Sequence, residues 1–132
     1  MSDQGAALMA IAQRLYGAAL TGDWATAGEI IHPDCRIVEA TALPFAGTYV
    51  GLAGLKALFA KFAESIAVKD LKFLPMLTGP NLVCAQLEII VEHNRQDIAL
   101  KVVEILRFEE GRVVELTPYY FDSALVHAIA KK

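Results

Sequence analysis

Residues 98–108 read IALKVVEILRF, and this stretch decides the fold. Apolar side chains recur at every second position, which is the period of a β-strand with one face toward a core. The same alternation places Glu104 on that apolar face. An isolated ionised carboxylate in a dry interior is very costly, so such a group is paired, protonated or in contact with a cavity. The stretch therefore predicts a strand with a carboxyl group on its inner face.

Two further acids follow the same pattern. Glu39 stands two residues after Ile37 and four after Cys35, and Asp122 ends the predicted face that carries Val114, Leu116 and Tyr120. Three acids on one inner surface predict a pocket with a polar floor. Each acid also has a structural alternative. Glu104 could only fix the sheet through a hydrogen bond, Glu39 could turn to solvent after a one-residue slip, and Asp122 could cap a terminal helix.

The composition favours a single domain over residues 1–132 with a small-molecule partner. Hydrophobic residues make up 55% of the chain and charged residues 20%, and this apolar surplus predicts an internal cavity or a subunit interface. The net charge of −3 and the lack of a Lys/Arg cluster argue against nucleic acid or an anionic membrane as partner. No apolar run approaches the roughly 20 residues of a membrane-spanning helix.

The sequence also lacks cofactor signatures. Cys35 and Cys84 do not have the spacing of a metal or redox motif, and no secretory leader precedes them. The three histidines are scattered, and no phosphate-binding loop is present. We therefore expect reduced thiols, a cytoplasmic location and no cofactor or metal.

Hydrophobic periodicity predicts helices first and strands after them. Two helices fill the first thirty residues, with Asp23 as the cap of the second and Pro33 as its end. A loop over residues 41–50 precedes a third amphipathic helix, residues 52–66. The predicted strands are 35–40, 68–77, 82–92, 98–108 and 112–121, and residues 123–130 form a terminal helix. This order predicts an α+β fold, a cone-shaped barrel in which a curved mixed or antiparallel sheet wraps the N-terminal helices.

Three motifs resemble a known family. They are LPFAGTYVG at residues 43–51, VEILRF at residues 103–108 and PYYFD at residues 118–122. Together they look like the SnoaL-like group of the nuclear transport factor 2-like superfamily, which includes ketosteroid isomerase and the polyketide cyclases. The resemblance implies a cone-shaped α+β barrel, usually dimeric, with a pocket inside.

The resemblance also implies roles for individual residues. Glu39 falls where ketosteroid isomerase carries its general base, and Glu104 where that enzyme keeps a protonated acid in its oxyanion hole. The isomerase's oxyanion tyrosine falls on Leu15, with Tyr16 one residue away. The proton-transfer acid of the polyketide cyclases falls on Asp122.

The leading hypothesis is a cofactor-independent enzyme that acts on a hydrophobic carbonyl compound. One carboxylate would remove a proton beside the carbonyl, and a tyrosine or protonated acid would stabilise the enolate. Isomerisation, dehydration, epoxide opening and aldol cyclisation stay open, as does a non-catalytic binding or interaction module. The candidate catalytic residues are Glu39, Glu104, Asp122 and Tyr16. The candidate pocket walls are Leu15, Phe45, Tyr49, Phe59, Leu87, Val91, Leu116 and Tyr120.

Two further expectations concern the protonation of the acids and the assembly of the protein. Burial should raise the pKa of Glu104 and keep it protonated, while the more exposed acid, Glu39 or Asp122, stays ionised as the base. The outer face of the sheet should be apolar enough to form a homodimer. Its predicted residues are Ala99, Val103, Ile105, Val113, Tyr119 and Phe121.

Overall fold

A computed structural model describes residues 3–130, and within that range the chain forms four helices and seven strands. The helices are α1 (Asp3–Thr21), α2 (Trp24–Ile30), α3 (Gly51–Ser65) and α4 (Ser123–Ala130). The strands are β1 (Ile31–Glu39), β2 (Gly47–Val50), β3 (Ala67–Phe73), β4 (Leu77–Gly79), β5 (Leu82–His93), β6 (Gln96–Glu109) and β7 (Arg112–Tyr120).

The N-terminal helical hairpin forms as predicted. Gly22 has a φ of 73°, a left-handed conformation that suits glycine and ends α1. The Asp23 carboxylate then accepts a hydrogen bond from the Thr26 backbone N–H at 3.2 Å and caps α2. The predicted role of Pro33 was wrong, because α2 ends at Ile30 and Pro33 lies inside β1. Its missing N–H is tolerated there because the pairing of β1 with β7 is irregular between Ile31 and Arg36.

One curved sheet contains the strands in the order β2-β1-β7-β6-β5-β3, with β4 paired to β5. β1 runs parallel to β7, and the other pairs are antiparallel. This confirms the predicted α+β cone with a mixed sheet. The cone is open on one side, because β2 and β3 remain separate edges of the sheet.

The register of the central strands places Glu104 on the inner face, as predicted. Glu104 lies opposite Ala85 of β5 and Pro118 of β7. The buried side chains on this face of β5 include Leu87, Ile89 and Val91. The inner faces of β5, β6 and β7 therefore form one apolar surface that the Glu104 carboxyl group interrupts.

A β-bulge changes the predicted faces of β7. The pairing of β6 with β7 shifts after Arg107, so that Phe108 lies opposite Val113. Val113 is consequently fully buried, although the alternation had placed it on the outer face. A bulge inserts one residue into a strand and reverses the side-chain alternation beyond it.

Two other segments differ from the prediction. Residues 47–50, predicted as loop, form β2 and pair with the end of β1, with Gly47 opposite Glu39. The predicted strand over residues 68–77 divides into β3 and β4 on either side of Pro75, where proline cannot donate to the ladder.

The turn from β2 into α3 depends on glycine. Gly51 has a φ of 65°, and a β-carbon there would lie 2.7 Å from the carbonyl oxygen of Pro33. The backbone of β1 therefore passes directly against the first residue of α3. This close approach fixes α3 over the inner face of the sheet, where it forms one wall of the site.

Candidate functional site

A cavity of about 540 Å³ lies between α1, α3 and the inner face of the sheet. Hydrophobic residues dominate its walls, which is typical of small-molecule sites. The apolar lining from the helices includes Leu15, Leu55, Leu58, Phe59 and Phe62. The apolar lining from the strands includes Ile37, Leu71, Leu87, Ile89, Leu116 and Pro118.

Two carboxyl groups and two tyrosines interrupt this apolar lining. They are Glu39 of β1, Glu104 of β6, Tyr16 of α1 and Tyr120 of β7. Four different elements therefore supply the polar groups, as expected when a curved sheet brings the inner faces of separate strands together.

Glu104 is partly buried and is hydrogen-bonded to a helix. The Tyr16 hydroxyl donates to Glu104 Oε1 across the cavity, and the Phe73 ring packs on the Tyr16 ring with centroids 5.2 Å apart. Desolvation raises the pKa of Glu104 above its ordinary value, and the hydrogen bond from Tyr16 offsets only part of that rise. Burial, together with the Glu104 charge, raises the pKa of Tyr16 well above its ordinary value. Tyr16 thus remains a hydrogen-bond donor that favours the ionised form of Glu104.

Glu39 is also buried, and it differs from Glu104 in its hydrogen bonding. It is only 4% exposed, and its Oε1 has no hydrogen-bond partner among the described residues. Desolvation, followed by the charge of Glu104, raises the pKa of Glu39 from 4.5 to about 8. Glu39 is therefore mainly protonated at neutral pH, whereas Glu104 has a donor that supports its charge. The expectation that burial raises the pKa of Glu104 is confirmed, whereas the expectation that Glu39 stays ionised as the more exposed acid is wrong.

Tyr120 completes the polar group of the cavity. Burial, then the nearby Glu39 and Glu104, raises the pKa of its hydroxyl, so this group also stays a donor. Its ring lies edge-on to Phe45, with centroids 6.0 Å apart. Tyr120 therefore packs on Phe45 and borders the same cavity as the two carboxyl groups.

The mouth of the cavity carries both apolar and charged side chains. Leu20, Phe59 and Val68 line the cavity and are also exposed. Lys69 and Asp70 of β3 border the same opening. Lys69 forms an exposed ion pair of 2.9 Å with Asp97 of β6, so its charge is already partnered outside the cavity.

The structure brings most of the sequence-predicted residues to this cavity. Those that border it are Tyr16, Glu39, Glu104, Leu15, Phe59, Leu87, Leu116 and Tyr120. Leu15 and Tyr16 both border it, although one helical step separates them. Pro118 was not among the predicted pocket residues, although it shares the period of Leu116 and Tyr120. The β3 residues at the mouth were not predicted either, since a bulge between Val68 and Asp70 obscures their alternation.

Four predicted site residues lie elsewhere. Asp122 is exposed beyond the end of β7, and its carboxylate accepts from the Leu125 backbone N–H at 3.0 Å, so it caps α4. Phe45 is fully buried behind the cavity, and the Tyr49 hydroxyl donates to the Phe45 carbonyl oxygen at 2.7 Å. Val91 is fully buried at the far end of β5. The 41–50 segment packs under its own aromatic residues and contributes none of them to the cavity lining.

Residues 3–130 contain neither a metal-site cluster nor a helix suited to span a membrane. No group of three or more His, Cys, Asp or Glu side chains in that range has the arrangement of a metal site. Cys35 and Cys84 are free thiols. No helix within the described range is both long and apolar enough to cross a bilayer.

Comparisons with known proteins identify the fold. The sequence profile of the SnoaL-like domain matches residues 12–116, whereas no curated protein matches significantly. A Xanthomonas campestris protein of unknown function with a cystatin-like fold is 26% identical, with a TM-score of 0.78 over 95% of this chain and 98% of that chain.

Other solved structures align over nearly their whole length. Bal32a, from a soil-derived mobile gene cassette, gives a TM-score of 0.86 at 16% identity, over 98% of this chain and 100% of that chain. A Jannaschia sp. CCS1 protein assigned as a SnoaL-like polyketide cyclase gives 0.82 at 14% identity, over 100% of this chain and 97% of that chain. At these identities the likeness concerns the fold.

Proposed function

The chain belongs to the SnoaL-like domain family, and on that premise we propose that it catalyses cofactor-independent proton transfer on a hydrophobic carbonyl compound bound in the cavity. The observation that carries this proposal is the pair of carboxyl groups, Glu39 and Glu104, which border one apolar cavity in unlike environments. Two titratable groups whose surroundings separate their protonation states are suited to opposite acid and base roles. The assignment of a structural neighbour as a polyketide cyclase agrees with this class of chemistry.

The environments suggest a role for each acid. In its ionised form, which the Tyr16 hydroxyl orients and supports, Glu104 removes a proton from the carbon beside the substrate carbonyl. Glu39, protonated at neutral pH, donates a hydrogen bond to the carbonyl oxygen as negative charge develops there, and the Tyr120 hydroxyl is a second donor for that oxygen. Donors already held in a dry site stabilise an enolate more strongly than water does. Return of the proton from Glu104 to another carbon completes an isomerisation, and attack of the enolate carbon on a second carbonyl completes a cyclisation.

The test compares isosteric amide variants. Glu104→Gln should reduce turnover of an enolisable aryl ketone panel by a factor of about 10² or more, since general-base catalysis contributes roughly that much. Glu39→Gln keeps a hydrogen-bond donor and should reduce turnover less, by about tenfold. Asp122→Asn is the matched control, because Asp122 caps α4 outside the cavity, and it should turn over like the parent.

Tyr16→Phe tests whether the Tyr16 hydroxyl supports Glu104 as the base, because the variant keeps the aromatic ring and removes only the hydroxyl. The variant removes the donor to Glu104 and should move the acidic limb of the pH–rate profile to higher pH, because the ionised form of Glu104 loses support. Ketone binding without turnover in the parent protein would contradict the catalytic proposal and favour a non-catalytic binding module. Equal activity of Glu104→Gln and the parent would refute Glu104 as the base.

A further inference from the structure

The charge balance of the cavity is unusual for a site that accepts only neutral ligands. Glu39 and Glu104 both border it, and the basic side chain among its lining residues is Lys69 at the mouth. Lys69 is ion-paired with Asp97, and Asp70 stands beside it. The carboxyl pair therefore has no cationic partner among the described lining residues of the inner cavity.

A hydrogen-bond acceptor is also left without a partner. Glu39 is 4% exposed, and its Oε1 makes no hydrogen bond within the described residues. Buried polar atoms of this kind carry a desolvation penalty unless a ligand or an ion satisfies them. Glu104 receives a hydrogen bond from Tyr16 at Oε1, which still leaves acceptor capacity on the carboxylate. Both groups are thus able to accept from an ammonium N–H.

The remaining lining suits the apolar body of such a cation. Phe59 and Phe62 of α3 and Tyr120 of β7 contribute aromatic rings, with aliphatic side chains between them. Cations are attracted to aromatic ring faces as well as to carboxylates. We propose that the cavity is also a binding site for lipophilic ammonium compounds, in which a primary ammonium group lies between Glu39 and Glu104 and its apolar body fills the remaining volume. This inference goes beyond the proton-transfer function and does not require turnover.

Binding is coupled to a proton. Desolvation raises the pKa of Glu39 to about 8, so at neutral pH Glu39 gives up its proton to solvent when the ammonium enters and both carboxylates become ionised. The other titratable groups facing Glu39 are Glu104, Tyr16 and Tyr120 around the cavity, Tyr49 from β2, and Lys69 and Asp70 at the mouth. The tyrosines stay neutral below pH 9, and the mouth charges are exposed.

The experiment uses three probes that share one ring system. Isothermal titration calorimetry measures 1-naphthylmethylamine, 1-naphthalenemethanol and 1-acetylnaphthalene against the full chain between pH 6 and 8.5. The amine should bind more tightly than the alcohol by at least tenfold at pH 8, and its affinity should fall by up to about tenfold per pH unit below that, as expected for one linked proton. Titrations at pH 7 in buffers of different ionisation enthalpy should show release of close to one proton per amine bound, and none for the alcohol.

Glutamine variants locate the effect. Glu39→Gln and Glu104→Gln should each remove most of the preference for amine over alcohol, and Glu39→Gln should also abolish proton release. Glu88→Gln, on the outer side of β5, is the charge-matched control and should retain the preference. If a glutamine variant does not fold, the number of protons that the parent protein releases per amine bound still tests the ammonium site.

The outcomes separate this inference from the proposed function. Equal affinity for amine and alcohol, or amine binding without proton release, overturns the ammonium site. Binding of the ketone together with failure of the amine overturns it while leaving the carbonyl function in place. If none of the three compounds binds, both the ammonium site and the proposed carbonyl function are overturned.

Discussion

At the scale of single residues, the cavity chemistry depends on where one proton resides. Glu39 and Glu104 are both desolvated, but only Glu104 receives a side-chain hydrogen bond from Tyr16. A donor to a carboxylate favours its charged form, whereas Glu39, whose pKa burial raises to about 8, carries a proton at neutral pH. Burial raises the pKa at both sites, but a hydrogen bond opposes that rise only at Glu104, so two residues of the same type acquire different properties.

Glu39 should make the stability of the protein depend on pH. The pKa of Glu39 is raised to about 8 in the folded protein, above its unfolded value of 4.5. The favourable contribution of Glu39 to the free energy of unfolding is therefore complete below pH 4.5 and is lost as pH rises through 8. Between these values the free energy of unfolding should fall by about 1 kcal/mol per pH unit from this group. Urea unfolding at pH 5, 6.5 and 8 measures the slope.

The informative quantity is the difference in the free energy of unfolding between the parent protein and Glu39→Gln, because the contributions of the other titrating groups cancel in that difference. That difference should shift in favour of the variant as pH rises. Parallel stability curves for the two proteins would show that Glu39 does not have a raised pKa. Glu88→Gln should follow the parent throughout.

Period-two alternation was sufficient to place Glu39 and Glu104 on the inner face, because one-sided burial imposes it on every regular strand. It failed at Val113 and at Asp122 for local reasons. A bulge reverses the alternation at Val113, and the strand ends at Tyr120, before Asp122. The contact of Tyr16 with Glu104 joins residues 88 positions apart, and such a pairing depends on the angle between α1 and the sheet, which local sequence does not encode.

At the scale of elements, helices and long strands followed from hydrophobic periodicity, whereas the short segments did not. β2 and the first part of β1 exist because neighbouring strands pair with them, and neither has a strong pattern of its own. Tertiary pairing commonly overrides local propensity in strands. The element boundary near Pro33 was misplaced for this reason.

The junction of β2 and α3 should be sensitive to a single methyl group. Gly51→Ala places a β-carbon 2.7 Å from the Pro33 carbonyl oxygen and also requires a φ of 65°, so we expect a loss of about 2 kcal/mol or more in the free energy of unfolding. Gly22→Ala is the matched control, with a similar φ of 73° but open space around the new atom, and should cost only about 1 kcal/mol. Equal losses in denaturant unfolding would mean that the contact with β1 relaxes freely.

At the scale of the whole molecule, the outer face of the sheet leaves large apolar side chains in water. Tyr119 is 60% exposed and Phe121 is 83% exposed, and the Lys101 ammonium lies 5.7 Å from the Phe121 ring. Val103 and Ile105 of β6 are partly buried on the same face. Exposed apolar surface of this kind is characteristic of subunit interfaces. We therefore propose that two copies pair through this face about a two-fold axis.

Sedimentation measures this assembly directly. The parent protein should sediment as a dimer at micromolar concentration, and Tyr119→Glu should shift it toward monomer by placing two like charges near the axis. Asp122→Asn changes a neighbouring exposed residue without adding charge to the face and should remain dimeric. A parent protein that is monomeric across this range would contradict the proposed interface.

The parallel pairing of β1 with β7 also has a consequence for the order of folding. It joins Ile37 to Leu116, so most of the chain must be in place before β1 is enclosed, and contacts between distant residues form slowly because loop closure is costly. Glu39, at the end of β1, should thus take up its proton late during refolding at pH 6.5. Stopped-flow refolding with a pH indicator should show proton uptake in the slow phase, after Trp24 packs edge-on to Phe59, and Glu39→Gln should lack that uptake. The carboxyl group that gives the cavity its chemistry would then also report the last step of its assembly.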